Sequence, residues 1–166
     1  EDWYKNLKSN KLKKNHFCFT FDDGLKSQYD VAFPILRKYK IKCFWFIFTS
    51  IFSNDYDHNE INKYFYYKYF KDFDEFFYHF KNEINFLKRK KLVFSKLKSK
   101  KAINYFKKFK IYSQKERIYR YLRDNVFTNK ELIFLHKRLF KKFNFDKKKI
   151  ASKLWISKKN LRTLVN

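Results

Sequence analysis

Glycine and proline occur once each in these 166 residues, as Gly24 and Pro34, and methionine is absent. With one glycine the chain has no glycine-rich phosphate loop, and with one proline it has no proline-rich linker. Two cysteines, Cys18 and Cys43, are too few for a disulfide-dependent scaffold, and nothing in their spacing resembles a zinc or redox motif. No uncharged run approaches the ~20 residues needed to cross a bilayer, and no signal peptide heads the chain. Internal repeats are missing as well. Acids are scarce, with 16 Asp plus Glu against 41 Lys plus Arg, which leaves a formal charge of +25. What the chain does have is aromatic, with 23 Phe and 13 Tyr. There is apolar material for one domain or somewhat more.

A sequence this poor in glycine is expected to keep one where the backbone turns sharply or passes close to a ligand. Gly24 follows Phe17-Cys18-Phe19-Thr20-Phe21-Asp22-Asp23. The run Phe17 to Phe21 is aromatic and β-branched and stops at an Asp-Asp-Gly turn signal, so it reads as a buried strand. Both carboxylates then emerge at its C-terminal end, where open α/β sheets and β/α barrels bind their ligands. Two adjacent acids at a strand end relaxing into a turn can reach one cleft, one holding a metal while the other takes a proton. Paired carboxylates of this kind suit metal-assisted hydrolysis. The plainer alternative is a solvated turn.

Downstream, Tyr29 to Lys40 has apolar residues at helical spacing, with Pro34 acceptable in a first turn. Ile41 to Phe48 reads as a second buried strand. Strand, acidic turn, helix and strand form a βαβ unit, which calls for parallel pairing and a right-handed crossover. The fold class read from this order is α/β.

The stretch from Phe17 to about Ser50 resembles the start of the polysaccharide deacetylase family, the NodB-homology carbohydrate esterases. The resemblance rests on Phe19-Thr20-Phe21-Asp22-Asp23-Gly24, on Pro34-Ile35-Leu36 followed by Lys38-Tyr39 and Ile41-Lys42, and on the aromatic strand Phe44 to Phe48. It implies a distorted β/α barrel and removal of an acetyl group from a sugar polymer or sugar conjugate. This is hydrolysis of a carbon-nitrogen, non-peptide bond or of an ester. It further implies that Asp22 is the catalytic base, that Asp23 binds a divalent metal, usually zinc, and that Gly24 makes the turn at the site.

The rest of the chain departs from that family. Its metal site is completed by a His-x-x-x-His pair, whereas His16, His58, His79 and His136 are scattered singly here. An Arg-x-Pro loop and a Leu-x-His are missing too. One acid cannot hold a catalytic zinc, which takes about three protein ligands. The metal is therefore not fully ligated by this chain. We expect an N-terminal piece of a longer enzyme, inactive alone, on two grounds. Methionine is lacking, and Leu154 to Asn166, with a Ser157-capped helix, matches what precedes the histidine strand in the resembled family.

Between these ends, Asn59 to Lys153 carries helical spacing without strand-like alternation. Expected helices are Asp72 to Arg89, Lys96 to Lys108, Ser113 to Arg123 and Thr128 to Lys141. The first presents Phe73, Phe76, Phe77, Phe80, Ile84 and Leu87 on one face, and Thr128 with Glu131 matches a capping box. The expected organisation is a βαβ start at 1–55, a mostly helical insertion at 56–153, and a helix at 154–166 leading back to the barrel. The insertion reads either as a lid or substrate-selecting element or as plain packing.

A basic surface of this size attracts nucleic acid, anionic glycan or anionic membrane. Lys, Phe, Asn, Tyr and Ile dominate, a bias that AT-rich codons also produce, and runs such as Lys88-Arg89-Lys90-Lys91 read as solvated helix faces. Cys18 and Cys43 fall in the two expected strands as small hydrophobes. Three function classes remain: part of a metal-dependent polysaccharide deacetylase acting on an acetylated sugar polymer or conjugate, a non-catalytic carbohydrate-binding relative, or a basic nucleic-acid-binding module. The first is preferred, without a specific nucleic-acid partner, without a transmembrane segment, and with a cytoplasmic location for a chain that shows no signal peptide.

Overall fold

The computed structural model describes residues 2–53, 55–56 and 59–165. It divides into two compact units, one made of Glu1–Tyr56 with Lys148–Asn166 and the other of Asp57–Lys147. It is a mostly helical α/β structure whose one sheet, among the described residues, lies near the N-terminus.

In the first unit, helix α1 (Asp2–Lys8) precedes strand β1 (Phe19–Phe21). A wide π-helical turn at Gln28–Ala32 runs into α2 (Phe33–Lys38), and strand β2 (Cys43–Trp45) comes next. The strands pair in parallel, Phe19 opposite Cys43, Thr20 opposite Phe44 and Phe21 opposite Trp45. The βαβ order is thus present. Pro34 sits in the first turn of α2. The same residue leaves the Asp30 carbonyl without an i+4 donor and crowds it with its ring. The wide turn relieves that crowding, and Phe33 N–H reaches back to the Gln28 carbonyl.

Both strands are shorter than the runs of five and eight residues suggest, and neither is fully buried. Aromatic residues dictate extended backbone, but a two-stranded sheet buries only what another layer covers. Trp3 packs edge-on to Phe44 and Phe21 stacks on Trp45 at 4.6 Å, yet Phe17 stays 77% exposed. Cys18 falls one residue before β1, and the partner of Cys43 across the sheet is Phe19.

After β2 and a 3-10 turn at Thr49–Ser53, the second unit is built from α3 (Asn59–Tyr69), α4 (Phe73–Glu83), α5 (Lys90–Leu97), α6 (Lys100–Asn104), α7 (Gln114–Asn125) and α8 (Asn129–Lys142). Side-chain caps start most of these helices. Asp72 accepts from Glu75 N–H, Ser99 from Ala102 N–H and Ser113 from Glu116 N–H. Thr128 and Glu131 form the complete capping box. Two expected helices are broken. That from Asp72 ends at Glu83 and tightens into a 3-10 turn at Ile84–Phe86, after which Leu87 is extended. The span Lys96 to Lys108 is split because Ser99 caps a new helix and Tyr105 leaves helical geometry. Helices α1, α3 and α5 were not among the expected ones.

The core of this unit is aromatic. Phe65 is fully buried and meets Phe70, Phe140 and Phe145 edge-to-face at 4.9–5.3 Å. The expected α4 face is buried at Phe76, Phe77, Phe80, Ile84 and Leu87. Buried Glu83 is paired: Arg138 Nε donates to it at 2.6 Å while the Arg138 guanidinium lies 3.4 Å from the Phe86 ring centre. The chain then runs through α9 (Lys147–Leu154) to α10 (Lys158–Val165), whose cap is Ser157, accepting from Asn160 N–H.

Candidate active site

β1 ends at Phe21, and the next three residues are Asp22, Asp23 and Gly24. Asp22 is exposed, Asp23 half-buried and Gly24 buried. Asp23 and Gly24 have φ of +69° and +61°, two successive residues in the left-handed region. Aspartate tolerates that region better than most residues, and glycine enters it at no steric cost. A second constraint falls on Gly24: a Cβ there would stand 3.0 Å from Ile47 Cγ2, just past β2. Close approach and handedness therefore both favour glycine, and the acid pair is held at the C-terminal end of the parallel strands.

Two further contacts fix this turn. Leu25 N–H donates to Gln28 Oε1 at 3.2 Å, the backward half of a capping box. The chain also returns to it from α9, since Leu25 forms an isolated antiparallel bridge with Trp155 and Ile156 N–H donates to the Gly24 carbonyl at 3.0 Å. Trp155 and Ile156 are buried, and Trp155 stacks with Tyr56. Sequence reasoning missed both contacts. The Gln28 contact left no capping signature, because position 25 is Leu rather than Ser, Thr, Asp or Asn; the pairing of Gly24 with Ile156 left none either, because it joins segments more than a hundred residues apart.

The histidines do not gather here. His16 lies in the loop before β1, accepting weakly from Lys13 N–H. His79 packs against the rings of Phe70 and Phe143. His136 is 3% exposed; its Nδ1 donates to the Leu132 carbonyl at 2.9 Å, so Nε2 accepts from the Tyr119 hydroxyl at 3.2 Å. Burial holds the Tyr119 phenol well above its ordinary range, so it stays a donor. His58 lies outside the described residues. Among the described residues no group of three or more His, Cys, Asp or Glu is placed to hold a metal ion. A complete catalytic zinc site does not fit the described residues of this chain.

A sequence model described as polysaccharide deacetylase matches residues 9–68. The chain is therefore similar to the polysaccharide deacetylase family over about a third of its length. The deacetylase segment covers β1, the acid turn, α2 and β2 and ends within α3. No curated protein matches the chain, and no solved structure does. No helix among the described residues is long and apolar enough to cross a membrane.

Proposed function

We propose that the chain carries the first catalytic motif of a metal-dependent carbohydrate deacetylase. Asp22 is the proton acceptor, Asp23 is the one ligand this motif gives to a divalent metal, zinc by family likeness, and an acetylated sugar polymer or conjugate is the substrate. The carrying observation is the acid pair at the C-terminal end of a parallel strand, on a turn that favours glycine at position 24, inside the segment that matches the family. Chain return at Trp155 and Ile156 to that turn supports reading 57–147 as an insertion into an α/β domain of the deacetylase barrel type.

The described residues do not complete a metal site, so the chain by itself is inactive in this reading and further ligands come from elsewhere in the functional protein. The same observation favours one alternative, a non-catalytic carbohydrate-binding relative that keeps the turn for its architecture. The test is acetate release from acetylated oligosaccharides by the longest form the gene encodes, with and without added zinc. Release that requires zinc and is lost in Asp22→Asn supports the deacetylase. Oligosaccharide binding without release, equal in wild type and Asp22→Asn, supports the alternative.

A further inference from the structure

Between Glu83 and Glu116 the sequence holds no acidic residue, while lysine and arginine recur throughout. A continuous exposed run in that stretch is the loop between α6 and α7. There Phe109 is 43% exposed and Ile111 80%, with Lys107, Lys108 and Lys110 exposed beside them. Large apolar side chains are normally withdrawn from water where apolar neighbours lie adjacent, and here half-buried aromatic residues do. Phe106, their neighbour, packs against Tyr105, Phe109 and Tyr112.

The loop is built rather than loose. Phe106 takes a positive φ, and Phe109 N–H donates to the Phe106 carbonyl at 2.9 Å. Its ends are fastened to α7 by Tyr105 Oη donating to Asp124 at 3.0 Å and by Arg120 lying 4.0 Å over the Tyr112 ring. The acids nearest the loop are committed elsewhere: Asp124 to Arg123 and Tyr105, Glu116 to Arg120, and Asp74 to Lys115. Among the described residues Lys107, Lys108 and Lys110 have no ion-pair partner.

We infer that this loop is a membrane-docking tip that seats Phe109 and Ile111 in the interface of an anionic phospholipid bilayer, with Lys107, Lys108 and Lys110 against the headgroups. Charge complementarity selects a polyanionic partner, and the apolar pair selects among polyanions. An exposed isoleucine cannot stack on a base or pair with a phosphate, whereas an acyl-chain boundary accepts it readily. Interfacial binding needs this combination, since apolar burial or a few lysines alone give only marginal attachment. The inference is independent of the deacetylase reading.

Co-sedimentation of the full chain with vesicles tests it. Binding is expected with phosphatidylcholine vesicles containing phosphatidylserine and much less with phosphatidylcholine alone. Phe109→Ser together with Ile111→Ser should weaken partitioning by roughly tenfold or more, and each of Lys107→Gln, Lys108→Gln and Lys110→Gln by about fivefold. Helical circular dichroism should be unchanged, because these side chains are exposed. As a second readout, Phe109→Trp should add a blue-shifted emission component on vesicle addition that wild type lacks. No sedimentation with anionic vesicles overturns the proposal. So does binding that survives the double serine variant and is fully displaced by heparin, which would mark a plain polyanion surface.

Discussion

The two units treat the same aromatic-rich composition in opposite ways. The largest fully buried side chains among the described residues, from Ile61 and Phe65 through Phe76 and Phe80 to Leu135 and Leu139, all belong to the unit 57–147. The other unit leaves Phe17, Phe19, Phe46 and Phe48 exposed along its two short strands. Around those strands an apolar hollow of about 610 Å³ opens, lined among others by Trp3, Phe17, Phe19 and Phe44. Helices satisfy their own backbone and need only one covered stripe, so a handful of them can close a core. A parallel pair has open edges and two faces to cover, and it is completed only by further layers. The largest buried side chains thus belong to the unit that does not carry the candidate active site.

That contrast can be broken most severely from inside the helical unit. Phe76→Ala should cost about 3–5 kcal/mol in denaturant unfolding, because the ring is fully buried and leaves a cavity between α4 and α7. Equal loss from Phe17→Ala would show that the sheet carries as much of the stability as the helices; the expected loss there is under about 0.5 kcal/mol.

Gly24→Ala is the strongest expected lesion in the sheet unit, at about 1–3 kcal/mol, since it adds left-handed strain and the contact with Ile47 together. Hydrogen exchange should speed up at the amides of Leu25 and Ile156, leaving α4 and α8 protected. Asp23→Asn is the useful companion, because asparagine keeps the tolerance for positive φ. It should leave the fold intact and isolate the role of the charge. Were Asp23→Asn as disruptive as Gly24→Ala, the carboxylate would be structural.

A smaller effect comes from the α8 cap. Thr128→Ala should cost about 1 kcal/mol. Its partner Glu131 is hydrogen-bonded by Arg89 and by Thr128, which lowers its carboxyl from 4.5 to about 2. The unfolded chain therefore binds the proton more readily than the folded one. The contribution is present above about pH 5 and is lost as pH falls from there toward 2. Glu131→Gln should flatten the acid limb of the stability curve by of order 1 kcal/mol after solvent screening, a difference that unfolding at pH 3 and pH 6 would reveal.

Much of this was legible residue by residue. The caps at Ser113, Thr128 and Ser157 are local hydrogen bonds between neighbours in the chain, so short sequence patterns specify them. The apolar face of α4 comes from spacing alone. Asp22-Asp23-Gly24 stood out because Gly24 is the one glycine, and its φ and its contact with Ile47 give the physical reason. Strand length and burial were not legible, because aromatic runs favour extended backbone whether or not another layer arrives to cover them.

Composition and spacing by themselves determined the βαβ start, the acid turn at its strand end and the helical character of residues 59–153, since each depends on backbone preferences and side chains a few residues apart. Tertiary structure alone decided that Ile156 returns to the Gly24 carbonyl, that His79 and His136 are bound up in aromatic packing, and that Phe109 and Ile111 face water. Those outcomes rest on which distant surfaces meet. Local propensity carries no record of that choice.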